Sequence, residues 1–332
     1  MDREKSTWEN VGGSLASYIF ADKSNSRMQI LELSYKHLSV NLKPCFLYFG
    51  AFYEDKEIPV RRLIRLWIAE GFICKHERKS LESVAEEYLM ELLGKSLVIV
   101  TERRSNGGVK NCVIHDLLRD LCLRRAEEEN FLKLMDDNYS IYNKHQRLYA
   151  PFRFVSLKPI HNASHLLLGR YSRHVRSLIG YFSDSPLNVL SMKLLRVLDW
   201  WNTNDGDLVG IETLVHLRYL AIYIMPASIA SFVNLEYLFV HGEVSIASSL
   251  LKLAKLRYLQ AREATFNEDC NSTQIIINKL EYLSTICIFN LKDEEMLKCS
   301  TNLRKLKCKF KPLLMDDEGT LSYRYPDLRF LT

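Results

Sequence analysis

What this 332-residue chain lacks narrows its class before any motif is read. No uninterrupted apolar run approaches the ~18 residues that mark a membrane-spanning helix, so no transmembrane segment is expected. The charged start, Met1-Asp-Arg-Glu-Lys5, is not followed by a signal-peptide core, which points to a cytoplasmic protein. Eight cysteines lie scattered through apolar stretches, and no two stand in the CxxC spacing of a zinc or redox site. They read as small buried hydrophobes in a reducing compartment, and no metal is expected. Two glycosylation-type triplets, Asn162-Ala-Ser164 and Asn271-Ser-Thr273, are then chance matches. Charge of one sign is also scarce. The net charge is +5, with 23 basic and 22 acidic side chains over residues 1–150 and 22 and 18 over 151–332. A nucleic-acid reader would show a clear basic excess, which argues against nucleic acid as a partner. No paired carboxylates, Ser/His/Asp order or supported Cys/His pair emerges, so no residue is assigned a catalytic role and the chain is not read as an enzyme.

What is present is repetition. One phrase, an apolar residue followed three positions later by Leu, recurs as Val175-Arg-Ser-Leu178, Leu195-Arg-Val-Leu198, Leu217-Arg-Tyr-Leu220, Leu235-Glu-Tyr-Leu238, Leu256-Arg-Tyr-Leu259, Leu280-Glu-Tyr-Leu283, Leu303-Arg-Lys-Leu306 and Leu328-Arg-Phe-Leu331. The closing leucines are 20, 22, 18, 21, 24, 23 and 25 residues apart, the period of a leucine-rich repeat. One unit cannot bury its own apolar edge, so the units must stack into a solenoid around a shared leucine core.

Strand alternation places the residues before, after and three beyond each closing Leu on the open face, the first of these forming one column. That column reads Ser177, Val197, Tyr219, Tyr237, Tyr258, Tyr282, Lys305 and Phe330, with Tyr181, Trp201, Tyr223, His241, Arg262 and Lys309 in a second column farther along. Tyr, Trp and Arg are the residue types of binding hot spots, so Tyr219, Tyr237, Tyr258, Tyr282, Trp201, Tyr223 and Arg262 are candidate partner contacts. Equally, the tyrosines could stack on neighbouring repeats and stiffen the sheet. Lys305, Lys307, Lys309 and Lys311 alternate along one strand and would form a basic strip suited to an acidic partner surface, or a strand kept soluble by charge.

The first half reads differently. Residues 28–38 suggest a short helix, and Pro44 to Phe52 a buried one. Val60, Leu63, Ile64, Trp67 and Ile68 follow an amphipathic helical stripe between Pro59 at a helix start and Gly71 at a helix end. A further helix is expected over about 81–94. The period then changes to alternation in 97–101 and 109–114, which flank Ser105-Asn-Gly-Gly108, a strong hairpin signal. A last helix from Asp116 to about Glu129 should turn Leu117, Leu118, Leu121 and Cys122 inward. Helices followed by a β-hairpin describe a winged helix. The expected organisation is an α+β multidomain chain: a remnant of a preceding segment in 1–27, a winged-helix domain in 28–135, a linker in 136–173, and in 174–332 an α/β leucine-rich-repeat solenoid with a parallel concave sheet, incomplete at its end.

Three strings sharpen this: Leu42-Lys-Pro-Cys-Phe-Leu-Tyr-Phe-Gly-Ala-Phe52, Ile64-Arg-Leu-Trp-Ile-Ala-Glu-Gly-Phe72 and Val113-Ile-His-Asp-Leu-Leu118. In this order, ahead of leucine repeats, they resemble the plant nucleotide-binding leucine-rich-repeat immune receptors of the coiled-coil class, close to the late-blight resistance group. The third string resembles that family's Met-His-Asp motif, with Ile114 in place of Met. The resemblance implies that His115 contacts the β-phosphate of ADP, that Asp116 braces the loop, and that the winged helix holds the resting state of an ADP/ATP switch. It also implies partners: a pathogen effector or its host target, and a nucleotide-binding module in the same or another chain. The family's phosphate loop, Mg²⁺-binding acidic strand and Gly-Leu-Pro-Leu segment are expected to precede residue 1, so this chain alone is expected to bind no nucleotide. Gly94-Lys95-Ser96 ends like a phosphate loop, but Leu89 stands where that motif needs Gly.

Two other readings stand beside the receptor: an adaptor or decoy that binds through the repeats without a switch, and a DNA-binding winged helix using Arg61, Arg62 and Arg65 with Arg103, Arg104 and Lys110 on its wing.

Overall fold

The computed structural model describes residues 23–135, 152–160, 172–182, 187–201, 208–267, 280–288, 291–298 and 302–310. The chain divides into two compact units, 1–133 and 134–332.

In the first unit, α1 (Lys23–Lys36) precedes α2 (Leu42–Leu47) and a 3₁₀ turn (Tyr48–Ala51). Pro44-to-Phe52 thus splits between two helix types, and its Cys45, Phe46, Leu47, Tyr48 and Phe49 are all buried. A two-residue strand β1 (Ile58–Pro59) leads into α3 (Val60–Glu70). The apolar stripe of α3 is buried as its spacing requires, and Leu66, Ala69 and Glu70 are buried with it. Gly71 ends α3 at φ 84°, its N–H reaching the Ile68 carbonyl at 3.0 Å while Phe72 N–H reaches Trp67 at 3.0 Å. That paired closure needs a left-handed residue, which glycine adopts without cost to a side chain.

Ser80 caps α4 (Leu81–Gly94) by accepting from the Ser83 N–H at 3.1 Å. Gly94 is the last residue of that helix and Ser96 follows at φ 56°, so Gly94-Lys95-Ser96 is a helix end and not a phosphate loop. Strands β2 (Ile99–Arg103) and β3 (Val109–Val113) make the hairpin, and β3 also pairs with β1, giving the sheet order β1-β3-β2. Helix α5 (Asp116–Glu128) turns Leu118, Leu121 and Cys122 inward. Leu117 departs from expectation: it is exposed on the first turn, one residue off the buried stripe.

The second unit is a parallel solenoid. Its strands are β4 (Lys133–Met135), β5 (Arg153–Ile160), β6 (Ser177–Phe182), β8 (Val197–Trp201), β10 (Tyr219–Ile222), β11 (Tyr237–Ile246), β12 (Tyr258–Phe266), β13 (Tyr282–Ile288) and β14 (Lys305–Phe310), stacked in chain order. Short β7 (Leu187–Asn188) and β9 (Leu208–Val209) pair separately on return segments. Leu178, Leu198, Leu220, Leu238, Leu259, Leu283 and Leu306 stand in one register across successive strands. The first six are at most 1% exposed, and Leu306 packs against the core at the last of these strands. Burying one such side chain is worth about 1.5–3 kcal/mol, so the column is the principal source of cohesion between repeats.

The column begins earlier than the leucines. Phe154 of β5 stands opposite Leu178 and is buried, so part of the stretch read as linker (136–173) is a strand of the solenoid. Its local phrase, Pro151-Phe-Arg-Phe154, carries no leucine, which hides it from a search for that residue. The eighth repeat, with Phe330, lies outside the described residues.

Candidate functional site

Two places hold the residues singled out from sequence. The first is the junction of β3 and α5. His115 is the residue preceding α5, with extended backbone (φ −68°, ψ 147°), and its carbonyl accepts from the N–H groups of Leu118 and Arg119 at 3.0 and 2.9 Å. Its Nδ1 meets Asp116 Oδ1, and Asp116 Oδ1 also accepts from Leu117 N–H at 2.6 Å. The two side chains are more than half exposed, at 57% and 54%. The arrangement orients the ring: with Nδ1 directed at the carboxylate, Nε2 is the nitrogen left to face a ligand. One imidazole at the start of a helix suits one phosphate oxygen.

The second place is the open face of the solenoid. The expected first column is in register: Ser177, Val197, Tyr219, Tyr237, Tyr258, Tyr282 and Lys305 stand opposite one another, with Arg153 ahead of them. Its tyrosines, however, are not free contact area. Tyr219 and Tyr237 are 2% exposed and Tyr258 8%. Ring centroids are 6.4 Å apart for Tyr219–Tyr237, 5.0 Å for Tyr219–Phe239, 5.0 Å for Phe239–Tyr258 and 4.1 Å for Tyr258–Tyr282, the last pair stacked at 5°. Phe239, at the open-face position after a closing leucine, fits between the two halves of the ladder. Parallel in-register strands hold equivalent residues about 4.8 Å apart, so adjacent rings cover each other. Of the two sequence readings, stacking describes Tyr219, Tyr237 and Tyr258, and these three are withdrawn as direct partner contacts.

Exposed groups begin at the edges of this ladder. Tyr223 is 38% exposed. Arg262, with a 60% exposed side chain, reaches Glu243 at 3.1 Å. On β14, Lys305, Lys307 and Lys309 are exposed while Leu306 and Cys308 are partly buried, so the lysines share one side as alternation requires. Lys305 Nζ lies 5.6 Å from the Tyr282 ring centre and ends the aromatic ladder with a cation. Lys309 bonds Glu263 at 2.6 Å, and that bond holds its ammonium above the usual range. Trp201 closes β8, but its side chain, like Lys311 as a whole, lies outside what is described.

Comparison with known proteins places these features. Residues 51–122 match the family model described as disease resistance protein winged helix domain. That stretch of the first unit is thus similar to the winged helix domain of disease resistance proteins. Along almost its whole length the chain is also similar to proteins of Solanum demissum: 37% identical over 93% of the chain to the putative late blight resistance protein homolog R1B-8, 38% over 93% to homolog R1B-16, and 34% over 93% to the late blight resistance protein R1-A. The chain spans about a quarter of the length of these relatives (27%, 25% and 26%).

Of the three α3 arginines in the DNA-binding reading, Arg61 is exposed, Arg65 is partly buried and Arg62 lies over the Phe52 ring. On the wing, Lys110 is bonded to Glu102 at 2.7 Å and Arg103 to the Gly107 carbonyl at 3.1 Å. The domain's buried cysteines behave as hydrophobes. Desolvation pushes the Cys112 thiol up to about 12 and Cys45 and Cys122 well above their ordinary value. Among the described residues, no three His, Cys, Asp or Glu side chains come together as a metal site, and no helix is long and apolar enough to cross a membrane.

Proposed function

We propose that this chain works as part of a plant intracellular immune receptor, whose repeats recognise a pathogen effector or a host protein that the effector modifies. Joined to a nucleotide-binding module, the winged helix domain would hold the resting, ADP-bound state through His115, braced by Asp116. Recognition at the repeats would release that state and start defence signalling and cell death. Binding, not catalysis, is the proposed role of the solenoid. The observation that carries this reading is the order of parts. A disease resistance winged helix domain is followed by a leucine-rich solenoid, in a chain similar over 93% of its length to a late blight resistance protein homolog.

Within the solenoid, the partner surface is assigned to Tyr223, Arg262, Lys305, Lys307 and Lys309, beside the half-buried Tyr282. The buried ladder supplies rigidity: a stiff, preordered face loses less entropy on binding than a mobile one. The excess of lysine on β14 favours an acidic partner surface.

Transient expression in leaves tests the reading. Co-expression with secreted late blight pathogen proteins should produce or suppress cell death for at least one of them, and a Lys305→Glu/Lys307→Glu chain should lose that response while accumulating normally. If no such protein changes the outcome, or the charge-reversed chain responds unchanged, the receptor surface is misassigned. In the isolated chain, titration with ADP should give no binding heat. A micromolar signal abolished by His115→Ala would show that it holds a nucleotide site without the module.

A further inference from the structure

The turn of the wing holds two neighbouring residues that can react with each other. Asn106-Gly107 is the one Asn-Gly step in the chain. It forms the tip of the β2–β3 hairpin, where Gly107 N–H donates to the Arg104 carbonyl at 2.9 Å and Arg104 N–H to the Gly108 carbonyl at 2.7 Å. Those bonds close the loop Ser105-Asn106-Gly107, whose last residue is left-handed at φ 82°. Asn106 Oδ1 folds back to accept from Gly108 N–H at 3.2 Å. Turn geometry thus explains why an asparagine and a glycine stand there, but not what the pair does once in place.

An asparagine followed by glycine sets an electrophile and a nucleophile side by side. The amide nitrogen of the second residue can attack the side-chain Cγ of the first and close a five-membered imide. Glycine leaves that nitrogen unshielded because it has no Cβ. Here the tip is open: Ser105, Asn106 and Gly107 are all exposed, and a Cβ built on Gly107 would meet nothing within 4 Å. What holds the tip is a set of hydrogen bonds, among them one from Arg103 Nη1 to the Gly107 carbonyl at 3.1 Å. Freeing the Gly107 nitrogen therefore disrupts no apolar packing at the tip, and openings of this kind lie at the low-energy end of native motion. Charge favours the attack as well. Asn106 Oδ1 becomes negative as the nitrogen adds to Cγ. A Cβ built on Gly108 would stand 3.3 Å from that oxygen and 3.8 Å from Arg104 Nη1, so a guanidinium borders the same gap.

We propose that Asn106 is a site of spontaneous deamidation that changes the charge and length of the wing turn. The Gly107 nitrogen forms a bond to Asn106 Cγ, the Cγ–Nδ2 bond breaks, and Nδ2 leaves as ammonia with the proton that water carries from Gly107. Water then opens the imide at either carbonyl and gives aspartate or isoaspartate at position 106, with no change of oxidation state. Both products put a carboxylate beside Arg103 and Arg104 where a neutral amide stood. Isoaspartate also routes the main chain through Cβ, which lengthens the loop by one bond and spoils the Arg104–Gly108 closure. The chemistry needs only this turn and water, so it is independent of the partner assigned to the solenoid.

The test holds the full folded chain in mildly alkaline buffer and follows the tryptic peptide Ser105–Lys110 by mass spectrometry. That peptide should gain one mass unit and separate into two species with isoaspartate in excess, faster as pH rises, because the Gly107 nitrogen must lose its proton. Hydroxylamine, which attacks the imide, should cut the chain into residues 1–106 and 107–332. Asn106→Gln should abolish both signals, and the Asn25-Ser26 and Asn271-Ser272 steps should keep their amides over the same period. Added salt should slow the folded chain more than the urea-unfolded one, since it screens arginines that only the fold brings near Oδ1. A folded chain that retains its Asn106 amide while the unfolded chain converts completely would overturn the proposal. So would hydroxylamine cleavage that persists unchanged in Asn106→Gln.

Discussion

The tyrosines of the open face show how one residue type divides between two jobs. Tyr219, Tyr237 and Tyr258 sit at the same repeat position as Lys305, yet three are buried in a ladder and the fourth is a solvated cation. What separates them is the neighbour: a ring flanked by rings is covered, and a residue on the last described strand is not. Tyr258→Ala should therefore lower the solenoid's stability by about 3 kcal/mol, the range for removing a buried aromatic side chain, measured by urea unfolding. Tyr223→Ala should change stability by less than about 0.5 kcal/mol and act on partner binding instead. The cysteines divide in the same way. Cys74 is exposed, whereas Cys45, Cys112 and Cys122 are buried. A maleimide should label Cys74 in the folded chain and reach the other three only after unfolding. In the unfolded chain Cys112 ionises near its ordinary 9.0, and in the folded one near 12. Its preference for the neutral thiol thus supports the fold below pH 9 and is lost between the two values. Alkaline unfolding of the winged helix domain in that window should move to higher pH in Cys112→Ala, read by circular dichroism.

Among the elements, the hairpin and the helices that precede it were legible because each carries its own punctuation. Gly71 closes α3, Ser80 opens α4, and Ser105-Asn-Gly-Gly108 turns the wing. Strand β5 was not, since its consensus position holds Phe154 and only its partner Leu178 reveals the role. The contact between these strands is close. Gly180 of β6 has φ 146°, and a Cβ there would collide with the Ser156 carbonyl oxygen of β5. Gly180→Ala should cost at least about 2 kcal/mol from backbone strain and collision together, seen as a lower urea midpoint. Faster amide exchange in β5 and β6 than in β12 would localise the damage.

For the molecule as a whole, the division at residue 133 predicts two responses to damage. Leu220→Ala removes a fully buried side chain from the leucine column and should destabilise the solenoid by about 3–4 kcal/mol. Exchange protection in α3 and α5 should be little changed. Uniform loss of protection across both units would show that they fold as one. The function proposed for the chain depends on both: a winged helix domain able to hold a nucleotide-dependent resting state, and a rigid face able to sense a partner.

Periodicity alone was enough to establish the solenoid and the register of its leucines from β6 onward, because a repeating backbone must place equivalent residues in equivalent positions, but not the pairing past the bulges that follow Val240, Gln260 and Leu283. The three short strings were enough to point to the winged helix and its family. Exposure could not be read that way. Whether a tyrosine is a contact or a strut, and whether Leu117 faces in or out, depend on what the neighbouring strand or helix brings within a few ångströms. That proximity belongs to residues far apart in the chain, and it exists only once the elements have packed.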